Sequence, residues 1–159
     1  MPVARFARPL AGRHSVGVES GEENWKWWRA SLRISSATIS AAEITARLGL
    51  EPSSAREKGF RVVDDPRAMV MKTSVWNRQS GLPSSVPLDE QIGVLLDLVE
   101  PRSSKLEALR SESCTVEFFT GFASSNGQGG ITLDATLLGR IAALGIALGL
   151  DLYPPPRSS

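Results

Sequence analysis

The chain has 159 residues, 42% of them apolar, with 18 basic and 17 acidic side chains and a net charge of +1. A chain of that length suits one domain that buries about 68–70% of its unfolded surface without a staple, and near-neutral charge offers nothing global to DNA or an anionic bilayer. The single cysteine, Cys114, excludes an intramolecular disulfide, and no apolar run reaches the ~20 residues that span a membrane, so the expected setting is soluble and cytoplasmic.

Residues 1–23 are rich in Gly, Pro and Arg without periodicity and read as a disordered tail; 24–153 reads as one domain and 154–159 as a second tail. In "NWKWWRASLRIS" (24–35) a period of two puts Trp28, Ala30, Leu32 and Ile34 on one face of a strand and Trp25, Trp27, Arg29, Ser31 and Arg33 on the other. Ser40 with Glu43 forms a capping box for a helix over 41–48, whose face carries Ile44 and Leu48, and Gly49 stops it. Residues 52–58 read as a loop, 59–63 as a short strand, "DDPR" (64–67) as a turn and 68–80 as the returning strand of a hairpin. Leu88, Ile92, Leu95, Leu96 and Val99 mark an amphipathic helix over 88–99, ended by Pro101; Ser104 and Glu107 suggest a second capping box and a short helix with Leu106 and Leu109 inward. Residues 113–122 alternate as a strand, 123–130 form a hairpin loop and 131–133 return as a strand. Asp134 caps a last helix running to Leu148, stopped by Gly149, before an extended "DLYPPPRSS". The order predicts an α+β fold: a two-layer sandwich with helices on one face of a mostly antiparallel sheet, with a ferredoxin-like arrangement as one version.

Several chemistries lose their residues. The segment 39–59 begins like a helix-turn-helix, but Gly59 leaves a second helix under two turns before a β-rich stretch. Gly49 and Gly59 are ten residues apart, with no phosphate-loop signature between them, and "SNGQGG" (125–130) lies where a hairpin loop explains it. The only histidine, His14, falls in the tail, so a His/Cys metal site or a Ser–His–Asp arrangement would have to recruit a tail residue. Cys114 sits on an apolar strand face, where a buried small side chain is the plain reading. No catalytic residue, metal ligand or cofactor is assigned.

Two groups remain as binding candidates. Trp25 and Trp27 share a strand face with Arg29 and Arg33, an aromatic–Arg surface suited to stacking or to protein contact. Arg56, Lys58 and Arg61, with Trp76 as a wall, could line an anion cleft near residues 52–65, with Asp64 or Asp65 as acid/base or cation ligand.

The motifs "IT..LGLEPS...EKG", "VW...S" around Trp76, "LDEQIGVLLDLVEP" and "LLGRIAALGIALGLDLY" together resemble the bacterial domain-of-unknown-function family DUF4279 over about residues 29–153. The resemblance rests on Ile44-Thr45, Leu48-Gly49, Pro52, Lys58-Gly59, Trp76 and Asp151-Leu152-Tyr153. It implies a small stand-alone domain and carries over no activity or catalytic residue.

The leading expectation is a non-enzymatic cytoplasmic binding protein that works by protein–protein contact or self-association, with an immunity- or antitoxin-like role as one version by fold-level analogy. The alternative is a small anion- or metabolite-binding domain, or an enzyme, using the 52–65 cleft. Single-stranded nucleic acid on the sheet face is disfavoured by the near-zero net charge, and no membrane partner is expected.

Overall fold

A computed structural model describes residues 24–155. The predicted tail over 1–23, with His14 in it, and residues 156–159 lie outside the described residues.

The first strand, β1 (Lys26–Ser36), alternates as its sequence dictates, with Ala30, Leu32 and Ile34 each at 0% exposure. Helix α1 (Ala41–Leu48) starts where the Ser40 hydroxyl accepts from Glu43 N–H. It stops where Gly49 takes φ +63° and donates to Thr45 O at 2.9 Å, a left-handed exit that favours glycine. Strands β2 (Ser54–Arg56) and β3 (Ser74–Gln79) follow. Helix α2 (Leu88–Val99) runs through a 3-10 turn at Glu100–Arg102 into α3 (Ser103–Ser111). Then come β4 (Thr115–Ser124), α4 (Ala135–Ala143), capped by Asp134, and β5 (Ala147–Tyr153).

The five strands form one sheet in the order β2-β3-β1-β4-β5. All neighbours are antiparallel except β4 and β5, which run parallel. Leu32 lies opposite both Arg78 and Phe118, and Phe118 lies beside Leu148. Even-numbered residues of β1, β3, β4 and β5 therefore share one face. Ile44 and Leu48 of α1, Ile92 and Leu95 of α2, Leu106 of α3 and Ile141 of α4 bury that face in a single core with Leu32, Ile34, Trp76 and Phe118. The expected two-layer α+β architecture is the observed one. A four-stranded antiparallel ferredoxin-like sheet would end at β4; here α4 and the parallel β5 extend it.

Five local expectations are corrected. The loop predicted over 52–58 contains β2, which pairs through backbone with Val75–Asn77 and shows no alternation to read because all three of its residues are exposed. The strand predicted over 59–63 is no strand: it holds one isolated bridge, Arg61 to Val70, with Gly59 and Phe60 bonded to Met71 at its base, and the return strand shrinks from 68–80 to 74–79. Residues 131–133 are not a strand; Ile131 and Leu133 instead pack against the core. Ser104 caps nothing, since the 3-10 turn feeds α3 directly. The last helix ends at Ala143, not Leu148, because Gly145 turns left-handed at φ +62° and the chain continues as β5.

Candidate functional site

The helix-free face of the sheet carries the odd-numbered side chains of β1, and three of the four predicted surface residues meet there. Trp27 points to this face and Trp28 to the other, as the alternation requires; Trp28 packs against the core. Trp27 leans over Gly121, where a Cβ would come within 3.0 Å of its ring. Its ring meets Tyr153 edge-on at 5.8 Å and 87°, and the Arg29 guanidinium lies 5.2 Å from its centroid. Missing bulk at one strand position thus seats an indole from the next, and Trp27 is left only 4% exposed.

Further along the same face Arg33 stacks on Phe119 at 3.6 Å, donates from Nε to Asn77 Oδ1 at 3.4 Å and lies 3.5 Å from Glu117 Oε1. Burial pushes the Arg33 guanidinium below its ordinary value, opposed by the charges of Glu117, Tyr153 and Asp151. Trp25, the fourth candidate, stands apart at 43% exposure, beside an open depression it shares with Lys26, Asn126 and Gln128. The face is an aromatic–Arg platform, largely closed at Trp27 and Phe119 and open at Trp25.

The anion-cleft candidates fall along one segment but do not converge. Arg56 lies 5.4 Å over the Phe60 ring. Lys58 donates from Nζ to Ala37 O and from its backbone N–H to Ser74 Oγ, both at 3.0 Å. Arg61 donates to the carbonyls of Pro66 and Ala68, both at 3.0 Å. Trp76 is not with them: it sits in the core at 0% exposure. The anion at this place is the protein's own. Glu57 accepts from Ala41 N–H at 3.0 Å, Ala42 N–H at 3.1 Å and Ser74 Oγ at 2.8 Å. Those bonds, led by the one from Ala41, hold its carboxyl below the usual carboxylate range. The start of α1 is thereby capped twice, by Ser40 immediately before it and by Glu57 just beyond β2.

Residues 57–73 form an excursion between β2 and β3, tied at its base by Gly59 N–H to Met71 O at 2.8 Å and Met71 N–H to Phe60 O at 2.9 Å. Asp65, expected in a turn, accepts from Arg67 N–H at 2.8 Å. Beyond the base stand Phe60 at 46% exposure, Val62 at 61%, Val63 at 59% and Met69 at 65%. Their strand-like composition was legible in the sequence; that no second layer covers them was not.

Gln91 is the residue that sequence reasoning missed. It lies within the apolar stripe of α2 at 1% exposure. Its Oε1 accepts from Ala30 N–H at 2.9 Å, and its Nε2 donates to Trp28 O at 3.1 Å and Val86 O at 2.9 Å. It completes the hydrogen bonding of β1 where β3 has ended. A lone amide at the i+3 position between Leu88 and Ile92 was the available signal. Cys114, 6% exposed, has its thiol pushed up by burial. Among the described residues no group of three His, Cys, Asp or Glu side chains could hold a metal ion, and no described helix is long and apolar enough to cross a membrane.

No curated protein and no solved structure matches the chain. The family motifs fall on structural positions of this geometry: Thr45 against Trp76, Gly49 at the helix exit, Lys58 on Ala37 O and Tyr153 against Trp27. Residues 24–155 match the model of the domain of unknown function DUF4279, and the chain belongs to that family.

Proposed function

We propose that the chain is a non-enzymatic cytoplasmic binding protein acting through protein–protein contact, with the 57–73 excursion as its main contact surface. The observation that carries this reading is that Phe60, Val62, Val63 and Met69, all on this one excursion, are each more than two-fifths exposed and take no part in the core. Apolar side chains exposed along one short segment and interleaved in sequence with Arg61, Asp64, Asp65 and Arg67 have the composition of an interface centre with a polar rim. The exposed Met69 side chain, unbranched and flexible, adapts to a partner's surface at little cost in specific geometry. The Trp27–Arg29–Arg33 platform is a weaker contact surface, because Trp27 offers almost no area; Trp25 extends it at the rim. A single cysteine, free and buried, is compatible with a reducing compartment.

Site-specific photo-crosslinking in cells tests the reading. A photoreactive residue at Val62 or Met69 should give one discrete adduct with another protein, and the same probe at Asp89 should give none. Absence of position-specific adducts at 62 and 69 overturns it. A thermal shift with inorganic phosphate that disappears in Lys58→Ala would instead favour the small-anion alternative.

A further inference from the structure

We propose that the outer edge of β5 pairs with the same edge of a second copy of this chain, antiparallel about Leu150, joining two five-stranded sheets into one. The two edges of the sheet are built differently. At one end β2 is three residues long, polar, carries Arg56 and begins two residues after Pro52. Short length, charge and proline are the devices by which natural sheets blunt an edge. At the other end β5 runs for seven residues, "ALGLDLY", without Pro, Lys or Arg. Its one charge, Asp151, falls on the helix-free face, opposite Gly121 of β4. Among the described residues no strand lies beyond β5, so its outward backbone N–H and C=O groups have no ladder.

The side chains are unfilled on the same strand. Leu148, Leu150 and Leu152 project to the helix side beside Phe118, Thr120 and Phe122 of β4, yet remain 39%, 49% and 64% exposed. Helices α2, α1 and α3 pack on β1, β3 and β4 respectively, and the leucine row of β5 stays exposed beside them. An open hydrogen-bonding edge and an open leucine row on one strand call for an occupant that supplies both at once, which an added strand does.

The occupant follows from the register. A two-fold axis at Leu150 sets Leu150 opposite its own copy and Leu148 opposite Leu152, so three leucines from each chain meet on the helix side. On the other face it sets Asp151 opposite Gly149 and Tyr153 opposite Ala147, so each large or charged side chain faces a small one. A seven-residue strand whose two halves complement each other in this way is matched to itself, and such an interface is isologous and closes at two. Pro154 follows Tyr153 at once and has no N–H to donate, which limits sliding of the pair.

The test is made on the full chain. Sedimentation equilibrium should give the mass of two chains, and Leu150→Asp should give the mass of one with an unchanged far-UV spectrum. The register is read in a Cys114→Ala background. Leu150→Cys should cross-link to its own copy under mild oxidation, because antiparallel partners lie about 4.5–5.5 Å apart at Cα, within disulfide reach. Leu148→Cys alone should not cross-link, whereas an equal mixture of Leu148→Cys and Leu152→Cys chains should. If Leu150→Asp does not fold, the cysteine pattern decides. A wild-type chain that remains single at every concentration overturns the proposal, as does a dimer that survives Leu150→Asp or cross-links equally through 148 alone. The 57–73 excursion lies at the opposite edge of the sheet, so these variants leave it untouched.

Discussion

The indole Nε1 of Trp76 donates to Thr45 Oγ1 at 3.0 Å, and the same hydroxyl donates to Ala41 O at 3.1 Å. Trp76 is the largest fully buried side chain of the core, and its one polar atom would be orphaned without the α1 hydroxyl. The pair therefore couples the docking of α1 to β3.

Thr45→Val keeps the shape and removes the acceptor, leaving a buried N–H unpaired. The expected cost is about 1–3 kcal/mol in urea denaturation. Trp76→Phe removes the donor, and in the Trp76→Phe background Thr45→Val should cost less than in the wild type by about 1 kcal/mol. Additive effects in the double variant would show that the bond contributes nothing of its own.

Glu57 supplies the pH dependence. Its carboxyl titrates lower in the folded chain than when unfolded, because it accepts from Ala41, Ser74 and Ala42. For a depressed acid, the stabilisation is fully present above the unfolded value, about pH 4.3 for a glutamate, and is lost as pH falls through the folded one. Glu57→Gln should therefore reduce stability at neutral pH, by no more than about 1 kcal/mol for so exposed a cap. The difference from wild type should shrink toward zero in acid. A gap that stays constant down to low pH would show that the charge plays no part.

What could be read in advance was whatever is encoded locally. Ser40, Glu43 and Gly49 delimit α1 within ten residues, Asp134 marks the start of α4, and the alternation of β1 separates Trp27 from Trp28 correctly. What escaped depends on distant partners. The three residues of β2 pair through backbone alone. The leucines of 144–152 fit a helix as well as a strand until Gly145 is seen to turn left-handed and β4 is seen to offer an edge. Alternation put Trp27 on the strand face opposite Trp28, but its cover comes from Gly121 and Tyr153 on two other strands, which no local pattern announces.

Gln91 shows how far one buried amide can carry a sheet. Gln91→Leu preserves volume and apolar burial but leaves Ala30 N–H, Trp28 O and Val86 O without their partner. With about 1–3 kcal/mol for each buried group left unsatisfied, the expected loss is at least about 3 kcal/mol. Amide exchange at Ala30 should accelerate more than exchange at Leu32, which lies where β3 still pairs with β1. Equal acceleration at both positions would mean global loosening and not a local role.

Trp25 and Trp27 are two residues apart and should behave oppositely. Trp27 is 4% exposed and wedged between Gly121 and Tyr153, whereas Trp25 is 43% exposed. Trp27→Ala opens a cavity on the helix-free face and should cost about 3–5 kcal/mol. Trp25→Ala should change stability by less than about 0.5 kcal/mol. Gly121→Ala tests the same seat from the other side: its Cβ would sit 3.0 Å from the indole, so Trp27 must tilt away. The stability lost to Gly121→Ala should therefore fall when Trp27 is already alanine. If Gly121→Ala is harmless in the wild type, or costs the same in both backgrounds, the indole is not held by the gap that the glycine leaves.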